Sequence, residues 1–110
     1  MIRLTEKEFA KKLQDHTTWL ETNGKAGVRA SFVGCDLTGY SFAAKYLLGA
    51  DFANADASHC DFTFANLVGC SFRNSNLSGA KFYRTNIDGA DFGCARIEYT
   101  GLKQRHLTAS

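Results

Sequence analysis

Proline is absent from this 110-residue chain, and methionine and tryptophan occur once each. There is no apolar run of about eighteen residues, so the sequence offers no membrane-spanning helix. Neither sign of charge is in excess: 13 Lys and Arg face 11 Asp and Glu, a formal net charge of +2. That balance argues against a dedicated nucleic-acid binder, which is usually more basic, and against a strongly acidic surface. The opening Met1-Ile2-Arg3-Leu4-Thr5-Glu6-Lys7 turns charged where a signal peptide needs its apolar core. A cytoplasmic protein with reduced thiols is the expectation. The length bounds the chain to one small domain, and a hydrophobic content of 45% excludes wholesale disorder.

What is abundant is phenylalanine, nine in all. Seven recur every tenth residue, at 32, 42, 52, 62, 72, 82 and 92. Between and beyond them stand Leu37, Leu47, Ala57, Leu67, Leu77, Ile87, Ile97, Leu102 and Leu107. Every fifth residue from 32 to 107 is therefore Phe, Leu or Ile, apart from Ala57. The residue two before each centre is small, except at Tyr40, Lys45 and Arg105. The residue between is usually short and polar, Asp at 36, 51, 56, 61 and 91 and Asn at 66, 76 and 86, and Gly falls two after the centre at 34, 39, 49, 69, 79 and 89.

A period of five suits neither a helix nor a strand. It suits a short extended piece followed by a turn. The centre and the small residue two before it then point the same way. Glycine lies where the chain turns and positive φ is needed, and Asp or Asn caps the turn. Missing proline fits this picture, since each unit needs its N–H for pairing.

Units such as Ala50-Asp51-Phe52-Ala53-Asn54, Ala65-Asn66-Leu67-Val68-Gly69 and Ala90-Asp91-Phe92-Gly93-Cys94 resemble the A-(D/N)-L-x-x motif of the pentapeptide-repeat family. The resemblance covers residues 30–109. It implies an all-β fold, a right-handed quadrilateral parallel β-helix in which four units make one square coil. About four coils follow, a rod about 19 Å long at roughly 4.8 Å per coil. A twenty-residue period then stacks Phe32, Phe52, Phe72 and Phe92 on one face, with Phe42, Phe62, Phe82 and Leu102 opposite. Aliphatic columns Leu37, Ala57, Leu77, Ile97 and Leu47, Leu67, Ile87, Leu107 close the core, with slack expected at Ala57.

Residues 1–28 break the period and are assigned to an N-terminal capping helix and linker; 29–110 form the repeat domain. Thr5-Glu6-Lys7-Glu8 is a capping box, and Phe9, Leu13, His16 and Leu20 follow at helical spacing. One amphipathic helix over roughly 6–22 is expected to cover the first coil, as solenoid ends require. His16 on its apolar stripe is expected to be packed and hydrogen-bonded. At the other end the motif decays around Gly101, Arg105 and His106. Tail-to-tail dimers among proteins of this kind point to a homodimer through Ile97, Leu102 and Leu107.

Chemistry is sparse. Cys35, Cys60, Cys70 and Cys94 contain no C-x-x-C pair, so neither a metal site nor a disulfide framework is expected. The first three take the small inward position, while Cys94 falls at an outer corner. The repeat aspartates recur in equivalent settings, whereas a catalytic pair needs distinct ones. No phosphate-binding glycine loop appears. We expect no enzyme and no cofactor.

Surface remains. One face carries Phe64, Lys81, Tyr83, Arg84, Lys103 and Gln104, aromatics beside cations, the usual anchors of protein interfaces. A second shows Tyr46, Leu48 and Val68 near the helix, and Lys45 is expected to snorkel outward. The leading expectation is a rigid protein-binding module whose partner is a protein. The resemblance also allows a DNA-mimicking, gyrase-protecting protein of the quinolone-resistance type, although residues 29–110 are slightly basic rather than acidic. An architectural or targeting component of a larger assembly is the third reading.

Overall fold

The structure, a computed structural model, describes residues 1–103. The five-residue period produces single-residue parallel β-bridges rather than long strands. Each links residues twenty apart, beginning with Ser31–Asp51, Asp36–Asp56, Ser41–Asp61 and Tyr46–Asn66. Among the described residues the series runs to Asn76–Arg96. Each rung repeats one bonding scheme. Phe32 N–H donates to Asp51 C=O (2.7 Å), Gly34 N–H to Ala53 C=O (3.0 Å), and Asp51 N–H back to Ala30 C=O (3.1 Å). Between consecutive units, Cys35 N–H closes the corner onto Phe32 C=O (3.1 Å). Four such units per turn give a four-sided coil.

The corners explain the composition. In every described unit from Phe32 to Ile97, the residue two after the centre has positive φ. Glycine meets this at 34, 39, 49, 69, 79 and 89, and Asn at 54 and 74. The Asp and Asn before each centre cap the turn: Asp51 Oδ1 accepts from Ala53 N–H (2.9 Å) and Asn76 Oδ1 from Ser78 N–H (3.0 Å). Where Ser stands instead, the contact lengthens, to 3.5 Å from Val33 N–H to Ser31 Oγ.

The phenylalanines form the two expected ladders. Phe52 stacks on Phe72 with centroids 4.7 Å apart and planes 10° from parallel, and Phe72 on Phe92 at 5.3 Å and 3°. Phe42 stacks on Phe62 at 5.1 Å and 8°. Between ladders the rings meet edge-on, as Phe52 and Phe62 do at 86°. Both geometries satisfy the ring quadrupoles. Ala57 is fully buried in its aliphatic column. Phe82, Ile87, Ile97 and Leu102 are only partly buried.

Below the first coil lie β1 (Ile2–Arg3) and α1 (Glu6–Glu21). The helix starts at the expected capping box: Glu8 N–H donates to Thr5 Oγ1 (3.1 Å), and Thr5 N–H to Glu8 Oε1 (2.8 Å). Phe9 sits edge-on to Phe42 at 5.1 Å, so helix and coil share one core. Strand β1 is a feature the sequence pattern did not reveal. It pairs in parallel with β2 (Cys35–Asp36), Ile2 opposite Cys35 and Arg3 opposite Asp36. Two residues of strand carry no periodicity of their own; the pairing exists because the coil edge supplies the partner. No helix among the described residues is long and apolar enough to cross a membrane.

The irregular units of the first coil belong to this junction. Tyr40 lies against Phe9 at 4.6 Å, its hydroxyl donates to Leu4 C=O, and the Arg3 guanidinium sits 4.5 Å above its ring. Lys45 turns out to solvent. Leu20, expected on the core stripe, is half-buried and lines a groove with Ala44, Tyr46 and Leu48 instead.

Candidate functional site

The buried titratable groups belong to the scaffold. His16 is wholly buried. Ala30 N–H donates to its Nδ1 (2.9 Å), so Nε2 carries the proton and donates to Leu48 C=O (3.0 Å). Ala30 begins the first unit, and Leu48 C=O faces away from the second coil. The imidazole thus stands in for a preceding unit at Ala30 N–H and for a coil beneath at Leu48 C=O. Burial holds its pKa below the usual value of 6.5. Cys60 and Cys70 direct their thiols at Leu37 C=O (2.9 Å) and Leu47 C=O (3.0 Å), and burial pushes both pKa values up to about 12. Cys35 is half-buried, Cys94 is exposed, and all four thiols are free. Among the described residues no three His, Cys, Asp or Glu are grouped to hold a metal.

The aspartates are spent on turns. Asp61 Oδ1 accepts from Thr63 N–H (2.9 Å); bonds from Thr63, with help from Lys81, hold its carboxyl below the usual range. Asp91 likewise serves Gly93 N–H (2.9 Å) and pairs with Arg73 (3.1 Å).

Of the outward aromatic and basic residues, Phe64, Tyr83 and Arg84 come into contact. Phe64 and Tyr83 come from adjacent coils, brought together by the rung Phe64 N–H to Tyr83 C=O (3.0 Å). Their rings meet edge-on with centroids 5.8 Å apart. Arg84 lays its guanidinium 5.6 Å from the Tyr83 centroid and donates from Nε to the Tyr83 hydroxyl (3.3 Å). Phe64 is 58% exposed and Tyr83 62%. Lys81 and Tyr83 border a groove of about 620 Å³ that also contains Gly79, Phe82, Thr100 and Leu102. Lys103 is exposed one coil beyond Tyr83 in register.

Tyr99 also lines that groove and is 93% exposed, yet lies outside the face expected from the sequence. A signal was present. Tyr99 occupies the corner where Gly and Asn predominate, with φ of 62°. Phe64 (φ 60°) and Arg84 (φ 51°) occupy the same corner position. Left-handed backbone is unfavourable for such side chains. Of the expected dimer end, Ile97 and Leu102 are half-buried, while Leu107 lies outside the described residues, as does Gln104.

Fold and bridges together define a four-sided parallel β-solenoid. The chain belongs to the pentapeptide-repeat family: the family profile for pentapeptide repeats matches residues 30–63 and 58–93, with 8 copies. No curated protein sequence matches it. A solved pentapeptide repeat protein from the Arabidopsis thaliana thylakoid lumen is similar at 33% identity and TM-score 0.65, over 71% of this chain and 55% of that one. The pentapeptide repeat protein Rfr23 from the cyanobacterium Cyanothece 51142 shares the fold at 23% identity and TM-score 0.57, over 61% and 46%. The chain therefore spans about half the length of these relatives. Their likeness implies that the coil is a right-handed quadrilateral β-helix.

Proposed function

We propose that this protein is a non-enzymatic, rigid binding module. Its repeat region makes about four coils, α1 caps the first, and it docks a protein partner on Phe64, Lys81, Tyr83, Arg84 and Lys103, with Tyr99 beside them. One observation carries the reading. Phe64 and Arg84 hold strained left-handed corners, yet their side chains meet on Tyr83 outside the core. Strain kept at exposed positions marks a site selected for what it touches. Rigid aromatics with a guanidinium lose little entropy on docking. Supporting the cation, four ion pairs occur among the described residues and none uses Lys81 or Arg84.

Affinity capture from the native host with wild type and with Phe64→Ala plus Arg84→Ala tests the face. Wild type should retain a protein that the double variant loses; equal recovery by both rejects it. Pairing of two copies through the half-buried Ile97 and Leu102 is a separate proposal, in a cytoplasmic setting, and sedimentation equilibrium decides it.

A further inference from the structure

A second, independent surface lies at the other end of the rod. In each described coil above the first, the residue before the centre bonds the coil beneath. Asn66 shows the scheme: its N–H donates to Lys45 C=O (2.9 Å), and its C=O accepts from Leu47 N–H (2.9 Å). In the first coil Asp36 finds the same service from β1, through the Arg3–Asp36 pairing. Tyr46 is the equivalent residue two units on. Among the described residues its N–H and C=O meet no partner below. His16 takes Leu48 C=O and Arg29 takes Gly49 C=O. Ser31 and Ser41, at the same position in this coil, likewise meet no backbone partner below among the described residues, and of the three Tyr46 is the one that lines an apolar groove.

Alongside runs a mainly apolar groove of about 590 Å³. Leu20 and Thr17 of α1 form one wall, and Ala44, Tyr46 and Leu48 the other, with Glu21 and Lys45 on the rims. Tyr46 is 72% exposed. An open donor–acceptor pair beside an apolar trough is the pattern that accepts an added strand.

We propose that this groove binds an extended peptide segment of a partner protein, which adds a parallel bridge under Tyr46 and places one large apolar side chain between Leu20 and Leu48. The occupant follows from the edge itself. β1 already lies under the same coil as a short parallel strand, so the edge is built to take extended backbone. A helix would leave Tyr46 N–H and C=O unanswered. A charged ligand would find Glu21 and Lys45 opposing each other.

The test uses short random peptides displayed on phage and selected against the intact protein. The best binder is then synthesised and titrated by amide NMR. Selected sequences should share a large aliphatic or aromatic residue, shift the amides of Tyr46, Leu48 and Leu20, and slow exchange at Tyr46 N–H. Tyr46→Pro removes an N–H that bonds nothing within the described chain, so the fold should be retained while affinity falls about tenfold, the effect of one lost hydrogen bond. Leu20→Glu is the second variant, which keeps the backbone and spoils the trough. Phe64→Ala plus Arg84→Ala should bind the peptide unchanged, separating this groove from the aromatic face. Failure to select any binder, or a binder whose affinity survives both Tyr46→Pro and Leu20→Glu, overturns the proposal.

Discussion

His16 is a residue where one ring does the work of a strand. Its neutral form is required, because Nδ1 must accept from Ala30 N–H. Since burial lowers its folded pKa below 6.5, the unfolded chain binds the proton more readily. Its contribution is complete above about 6.5 and is lost as pH falls through the lowered folded value. Thermal melts from pH 7.5 down to 5 should show falling stability. His16→Leu should be less stable at pH 7.5, by about 1–3 kcal/mol for each polar group left unpaired, and should show a flatter pH slope. Phe64 gives the opposite expectation. Phe64→Gly relieves a left-handed corner worth about 1–2 kcal/mol while losing an edge-on contact worth about 0.5–1.5 kcal/mol. Urea unfolding should find it within about 1 kcal/mol of wild type. A much larger loss would make Phe64 a structural residue and weaken its role as a docking group.

At the scale of the element, the Phe ladders divide into an enclosed part and an exposed part. Phe62 touches Phe42, Phe52, Phe72 and Phe82 and is fully buried. Phe62→Ala should cost about 3–5 kcal/mol, the range for deleting a buried ring. Phe82→Ala should cost clearly less, because Phe82 is only partly buried. Denaturant midpoints compare the two, and equal losses would mean the end of the ladder is as tightly packed as its middle. The helix obeys a similar logic. Its capping box was legible because it is local, whereas the departure of Leu20 from the core was not, since it depends on how the helix axis lies against the coil.

For the whole molecule, charge decides between rods. A protein that imitates duplex DNA should approach the duplex's dense negative charge, and this chain carries a formal +2. Purified protein should leave gyrase supercoiling, with or without quinolone, unchanged at micromolar concentration. Protection there would revive the mimicry reading despite the charge.

The five-residue period by itself determined the ladders, the corners and the family. Each unit repeats one local solution, and stacking at twenty residues follows from closing four of them. The outward register likewise exposed Phe64, Tyr83 and Arg84 as unusual. Tertiary structure alone decided what happens where repetition stops. It placed β1 under Cys35–Asp36, set His16 between Ala30 and Leu48, brought Tyr40 onto Leu4 and Phe9, and left Tyr46 open beside the Leu20 trough. Those contacts join residues far apart in the chain through single hydrogen bonds and ring faces. No period records them, because each occurs once.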